Sequence, residues 1–288
     1  MHAPFHLDGN KVTRIFRCGA HVFELSRPLV MGVLNVTPDS FSDGGRFLDR
    51  QIALSHARKM RDDGADLIDI GGESSRPGAK AVDEATELER VIPIVGALAR
   101  DGIAVAVDTR KPAVMRAAIA AGASMVNDIA ALTAPGALEA CAPGTTGVCL
   151  MHMRGEPATM QDAPIYDNVV KEVRDFLLAR ASACEAAGIA RERIAIDPGF
   201  GFGKTRVHNL TLLRALGDFA ATGYPVLVGL SRKKSLGDIT GRAIDERLAA
   251  SVAAALAAVA RGASIVRVHD VRETVDALKV WDAIERGA

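Results

Sequence analysis

The sequence predicts an α/β fold, a single (β/α)8 TIM barrel with an N-terminal β-hairpin, from three observations. Eight short apolar runs recur along the chain, most of them are followed by a helical stretch, and the set fits within the roughly 250 residues such a barrel needs. The runs are 29–35, 66–71, 103–108, 124–128, 147–152, 194–197, 225–230 and 265–269. Their near-continuous Val, Ile and Leu content suits parallel strands buried on both faces, since a half-exposed strand would alternate. A doubly wound open sheet shares this alternation of strand and helix and is the structural rival on pattern alone.

Each element has a local reason. Residues 11–26, KVTRIFRCGAHVFELS, alternate around a Cys-Gly-Ala turn and read as a hairpin that plugs the N-terminal mouth, within an extension spanning 1–28. The first strand ends in GVLNVTPDSFSDGG, where Pro38-Asp39, the serines and Gly44-Gly45 make a turn-rich loop carrying Phe41. Helical stretches follow at 50–64, 84–101, 112–121, 165–188 and 242–262, and several end at Gly64, Gly122, Gly188 or Gly262, where a left-handed cap costs least. No linker interrupts residues 1–288, which read as one domain.

Composition narrows the function. Hydrophobic residues make up 49% and charged ones 24%, which suits a well-buried core, and aromatics at 4% suggest neither a nucleic-acid stacking platform nor a carbohydrate cleft. Lys+Arg and Asp+Glu are both 35, against a general polyanion binder but compatible with a local cationic site. Cys18, Cys141, Cys149 and Cys184 show no metal or redox spacing and read as buried thiols in a reducing compartment. The N-terminus lacks a signal-peptide layout, and the longest apolar run, 252–260, is about half a membrane span. A soluble, cytoplasmic protein without membrane or nucleic-acid partners is expected.

Polar residues stand where the strands end: Asn35, then Glu73, Ser74, Ser75 and Arg76, then Asp108, Asn127-Asp128, His152, Asp197, Ser231 to Lys233, and Arg267 with His269. In a barrel that rim is the site. Taken singly, Asp108 or Asp128 serves equally well as a helix cap. Asp108, Asn127 and Asp197 suit the N–H donors of a flat heterocycle, whereas Arg76, Lys233, Arg267 and His269 suit phosphate. GFGFGKT at 199–205 fails as a P-loop because Pro198 stands five before Gly203; its glycines let backbone and Phe202 approach a flat ligand. SRKKSLG at 231–237 is either a solvated basic turn or part of the site, and its place after a buried strand favours the site. No nucleophile signature appears, so a reaction without a covalent intermediate fits, with an anionic leaving group held by cations.

GVLNVTPDSFSDGGRF, DIGGESSRPGA, AVDTRKP, VNDI, IAIDPGFGFGK, GLSRKKSLG and RVHDV, in this order between residues 30 and 270, resemble the signature segments of the dihydropteroate synthase family. The resemblance implies a folate-pathway transferase, a homodimer, that joins 6-hydroxymethyl-7,8-dihydropterin diphosphate to 4-aminobenzoate and releases diphosphate with Mg2+ assisting. It implies a pterin pocket at Asp108, Asn127, Asp197 and Lys233, diphosphate binding at Arg267 and His269, and Mg2+ at Asn35. It also implies an aminobenzoate region, which sulfonamides occupy, at Phe41, Ser75, Arg76, Pro77, Phe202 and Ser231; Ser75 borders the pterin diphosphate too. Lys233, Arg267, His269 and Arg76 would carry the catalysis. The loop 37–45 is expected to close as a lid, with SSRPG, after pterin binds. Ser75 departs from the more usual Thr, a methyl worth about 1 kcal/mol of packing at most. A methyltetrahydrofolate methyltransferase would share the pterin contacts without needing SRK, RVH or the lid, and a non-catalytic pterin-binding paralogue would not need Asn35, Arg76, Lys233 and His269 intact.

Overall fold

A computed structural model of the chain describes residues 14–37, 45–74, 81–157 and 159–286, the side chains of 45–49 and 286 aside. An antiparallel hairpin, β1 (Ile15–Cys18) and β2 (His21–Glu24), opens it. Eight parallel strands follow: β3 (Leu29–Asn35), β4 (Leu67–Gly71), β5 (Val105–Asp108), β6 (Met125–Asp128), β7 (Gly147–Met151), β8 (Ile194–Asp197), β9 (Leu227–Val228) and β10 (Ile265–Val268). Between and after them lie α1 (Gly45–Asp62), α2 (Glu84–Arg100), α3 (Pro112–Ala120), α4 (Ala137–Cys141), α5 (Val169–Ala186), α6 (Arg206–Arg214), α7 (Leu216–Ala220), α8 (Lys234–Thr240), α9 (Leu248–Val259) and α10 (Val271–Arg286).

The strand order β8-β7-β6-β5-β4-β3-β10-β9 decides against the open sheet. The two ends of that order meet, because Ile196 bridges Val226 in parallel and its N–H donates to the Pro225 carbonyl at 2.9 Å. The ring is a (β/α)8 barrel. Its weakest seam is β9, two residues long where the apolar run spans six. Pro225 has no N–H to donate to a ladder and Gly229 adds no side chain to pack, so pairing is confined between them.

Local chemistry trims the helices in the same way. The stretch at 165–188 starts its helix only at Val169, where the Asn168 side chain accepts the Lys171 N–H at 3.0 Å. The stretch at 242–262 divides into a 3-10 turn at Ile244–Glu246 and then α9. One face of α9, Ser251, Ala254, Ala255 and Ala258, is buried, so its alanines let it lie close to the barrel.

The hairpin plugs the N-terminal mouth. Phe16 and Cys18 are fully buried among Met31, Leu67, Met125 and Cys149 from the barrel interior, and Gly19 N–H donates to the Thr145 carbonyl at 2.9 Å. A Cβ on Gly147 would lie 2.8 Å from Cys18 Sγ and 2.9 Å from the Arg17 carbonyl oxygen. Gly147→Ala therefore has to push the plug outward. We expect a loss of about 1–3 kcal/mol in urea unfolding, with activity at 25 °C kept because the polar end of the barrel is opposite; an unchanged unfolding midpoint would refute the tight plug.

Candidate active site

The interior is apolar at the hairpin end and polar at the other. Strands buried on both faces send alternate residues inward, so Ala106 is followed by Asp108, Met125 by Asn127, Ala195 by Asp197, Ile265 by Arg267 and Leu67 by Asp69. Four of these five polar side chains form one network. Arg267 Nε donates to Asp69 Oδ2 at 2.5 Å and its Nη2 to Asp108 Oδ2 at 2.9 Å, while Asn127 Nδ2 donates to Asp69 Oδ2 at 3.0 Å. Burial and the neighbouring Asp69 charge push Asp108 up to about 7, although Arg267 pulls the other way. Asp69 Oδ1 is buried with no hydrogen-bond partner among the described residues. An acceptor of that kind suits a donor-bearing ligand.

Asp197 stands on the other side of the mouth. Its Oδ1 accepts the Gly199 N–H at 2.7 Å. Burial lifts its carboxyl to about 6, against that hydrogen bond and the attraction of Lys233, Lys204 and Arg267. Lys233 Nζ sits 4.3 Å above the Phe202 ring, a cation–π contact. Phe202 packs with Ile129, Met151 and Met160 into an apolar wall.

The β9 exit supplies the remaining groups. Arg232 takes a left-handed φ of 58° and is held by Asp270, Nη2 to Oδ1 at 2.5 Å and Nε to Oδ2 at 3.2 Å. On one side of this bend Ser231 Oγ accepts the His269 N–H at 3.2 Å and lies 3.0 Å from His269 Nδ1. On the other, Lys233 is the N-cap residue of α8. SRKKSLG is thus anchored at its second residue rather than being a loose basic turn. Asn35 ends β3, and its Oδ1 lies 3.6 Å, Asp108 Oδ2 3.9 Å, from where a Cβ on Gly71 would stand, so both oxygens border the same spot on β4. Phe41, Ser75, Arg76, Pro77 and the lid residues 38–44 lie outside the described residues.

One expectation needs correction, and one open choice is resolved. His152 does not join the mouth: it is buried, edge-on to Phe176 at 5.0 Å, with Nδ1 3.0 Å from Lys204 Nζ. Burial and the Lys204 charge hold it neutral, down at about 3. Asp128 is a cap, accepting the Ala130 and Leu132 N–H groups, both at 2.7 Å, whereas Asp108 caps nothing and pairs with Arg267. The glycines of GFGFGK also answer to the protein itself. Gly199, Gly201 and Gly203 have φ of 71°, 83° and 61°, and a Cβ on Gly199 or Gly203 would collide with the His152 or Arg154 carbonyl oxygen.

Asp69, Ile129, Met151 and Met160 were not singled out from sequence. A single acid inside the run LIDIG is the signal for Asp69, since a strand buried on both faces must give it a partner. The apolar three carry no such signal. Among the described residues no group of three or more His, Cys, Asp and Glu side chains is placed to hold a metal, and no helix is long and apolar enough to cross a membrane. Burial pushes the interior thiol Cys149 far above its ordinary range, so it supplies no nucleophile. The mouth instead offers acceptors for a heterocycle's N–H groups beside cations for an anion.

Known proteins share this arrangement. Residues 31–269 match the family described as pterin binding enzyme. The chain is 51% identical over 261 residues to the dihydropteroate synthase of Escherichia coli strain K12, covering 90% of this chain and 93% of that one. The Xanthomonas albilineans dihydropteroate synthase solved with 4-aminobenzoic acid superposes with a TM-score of 0.90 at 52% identity, covering 95% of this chain and 99% of that one. The Burkholderia cenocepacia dihydropteroate synthase complexed with 7,8-dihydropteroate gives a TM-score of 0.88 at 53% identity, covering 96% and 98%.

Proposed function

The chain belongs to the pterin binding enzyme family, and from that premise we infer that it is a transferase of folate biosynthesis: it condenses 6-hydroxymethyl-7,8-dihydropterin diphosphate with 4-aminobenzoate to 7,8-dihydropteroate and diphosphate. The observation that carries this reading is the mouth in which Asp69, Asp108, Asn127 and Asp197 stand beside Arg267 and Lys233.

The residues divide the work by charge. Asp197, ionised above about pH 6, accepts N–H bonds from the 2-amino-4-oxo edge of the pterin, and Asn127 and Asp108 take up the rest of that ring. Ile129, Met151, Met160 and Phe202 exclude water from its face. The bond between the exocyclic methylene and the bridging oxygen breaks, and its electron pair leaves with diphosphate. The dihydropterin delocalises the resulting positive charge, and the amine nitrogen of 4-aminobenzoate forms the new C–N bond and then loses a proton. Arg267, His269 and Lys233 hold the leaving diphosphate, Arg76 assists them, and Ser231 with Phe202 borders the aminobenzoate. We assign Phe41, Ser75 and Pro77 to the same aminobenzoate side and Ser75 also to the pterin diphosphate.

Mg2+ fits this donor set. The Asn35 amide oxygen is a hard donor at the end of β3, on the polar end of the barrel, and Mg2+ commonly keeps waters and substrate phosphate oxygens rather than demanding a cage of protein carboxylates. Asn35 would hold it; bound there, the ion would offset the charge of the departing diphosphate. A homodimer in the cytoplasm completes the proposal. The exposed Ile239, Ile244, Leu248, Val280 and Ile284 on and around α8 to α10 offer an apolar contact, and the buried, unpaired thiols suit a reducing compartment.

The test is diphosphate release from the pterin diphosphate with Mg2+, with and without 4-aminobenzoate. Release that depends on aminobenzoate, giving dihydropteroate, is the expected result. Tight pterin binding with no release under either condition would overturn it in favour of a non-catalytic pterin binder.

A further inference from the structure

Lys204 is almost fully buried, at 2% exposure, yet makes no ion pair among the described residues. Burying an ammonium is costly unless its donors are met, and here they are. Lys204 Nζ donates to the Phe202 carbonyl at 2.9 Å, to the His152 carbonyl at 3.1 Å and to His152 Nδ1 at 3.0 Å. Burial lowers Lys204 from the ordinary 10.5 to about 7; its ammonium form meets all three acceptors, its amine form still donates two N–H bonds, and the neutral His152 ring can accept at Nδ1. These contacts join the end of β7 to the loop that leaves β8.

The same loop carries Asp197's partner and the Phe202 of the apolar wall. Gly199 N–H holds Asp197 at 2.7 Å, and the Phe202 N–H turns back onto the Gly199 carbonyl at 3.1 Å. The Phe202 ring supports Lys233 at 4.3 Å. Other groups fix the loop's neighbours: Gln161 Nε2 donates to the Gly201 carbonyl, Tyr166 Oη to the Gly203 carbonyl and Asn209 Oδ1 accepts the Gly201 N–H. Lys204 alone reaches the carbonyl of the residue whose ring faces the mouth.

We propose that Lys204 is a positioning residue: from behind the loop its amino group fixes the Phe202 backbone, and through it the ring that supports Lys233. This rests on the function proposed above. It sets which parameter moves. Loosening Phe202 weakens the grip on pterin diphosphate before it slows the chemistry, so KM rises more than kcat falls.

The test is a double-mutant cycle in the full-length chain, with Lys204→Met, Phe202→Ala and the pair, assayed well below each variant's melting temperature. Lys204→Met is expected to raise KM for pterin diphosphate about tenfold with kcat within about threefold, and to add less than twofold in the Phe202→Ala background. Additive effects in the pair, or a Lys204→Met enzyme indistinguishable from wild type, would overturn the proposal. Should Lys204→Met not fold, Lys204→Gln, which keeps two N–H donors, enters the same cycle, with a smaller KM rise and the same non-additivity expected. A wild-type chain that releases no diphosphate defeats the functional reading instead, and the two failures are told apart by the wild-type assay.

Discussion

Asp197→Asn is expected to yield a more stable protein and a much poorer enzyme. The carboxyl is buried and its ionisation is pushed from the ordinary 3.8 up to about 6. The folded state therefore holds this proton more tightly than the unfolded chain does. The resulting stability is fully present below pH 3.8 and is lost as pH rises towards 6, so at pH 8 the ionised group costs the fold about 3 kcal/mol. Asparagine removes that cost and can still accept the Gly199 N–H. Calorimetry at pH 8 should show the variant melting higher, with the difference closing by pH 4. Function should move the other way. The charged acceptor for the pterin N–H groups becomes a neutral amide, a loss of about 1.5–3 kcal/mol and so roughly 10- to 100-fold in kcat/KM. Wild-type kcat/KM should also fall below about pH 6 as Asp197 takes up its proton, and that contribution should vanish in the variant, leaving only the limb from Asp108 near 7. A variant equally active at pH 8, or no more stable there, would sink the assignment.

How far the site is legible in the sequence follows from the two-residue period of a strand. Position along the barrel axis is readable, because apolar runs end where polar residues begin, and Asp108, Asn127, Asp197 and Arg267 are found that way. Direction is set by phase. Asn127 follows the inward Met125 by two and lies in the mouth, whereas its neighbour Asp128 faces the loop it caps. His152 likewise comes one after Met151 and turns outward towards Phe176 on α5. Asp69 escapes notice for the complementary reason: it lies inside a run, not at its end, although its phase with Leu67 points it inward. The wall of Ile129, Met151 and Met160 has no polar label, and an apolar side chain reads the same whether it faces the core or a ligand. The shortness of β9 is readable in part, since Pro225 limits pairing at its start, but that the Pro225 carbonyl accepts from Ile196 across the seam needs the closed ring.

Arg267→Met is expected to be the most damaging single change in the mouth. The guanidinium is the shared partner of Asp69 and Asp108, and burial already resists the charge on Asp108. Removing one partner of a buried pair costs about 3–5 kcal/mol, because the charge left behind has lost both water and counter-ion; here two are left. Urea unfolding at pH 8 should show that loss, and diphosphate release should disappear with it. The cause can be separated from simple misfit of the methionine. Without Arg267, Asp108 rises further above its unfolded value, so the variant should regain stability as pH falls through 7 towards 5. Asp69→Asn added to Arg267→Met should likewise recover part of the stability at pH 8, since only one unpaired carboxylate remains, yet restore no turnover because the diphosphate still lacks its cation. Recovery of stability without activity would separate the two duties of Arg267, neutralising the carboxylates of the mouth and holding the leaving group. A single variant that unfolds like wild type would mean that the mouth balances its carboxylates by some other means.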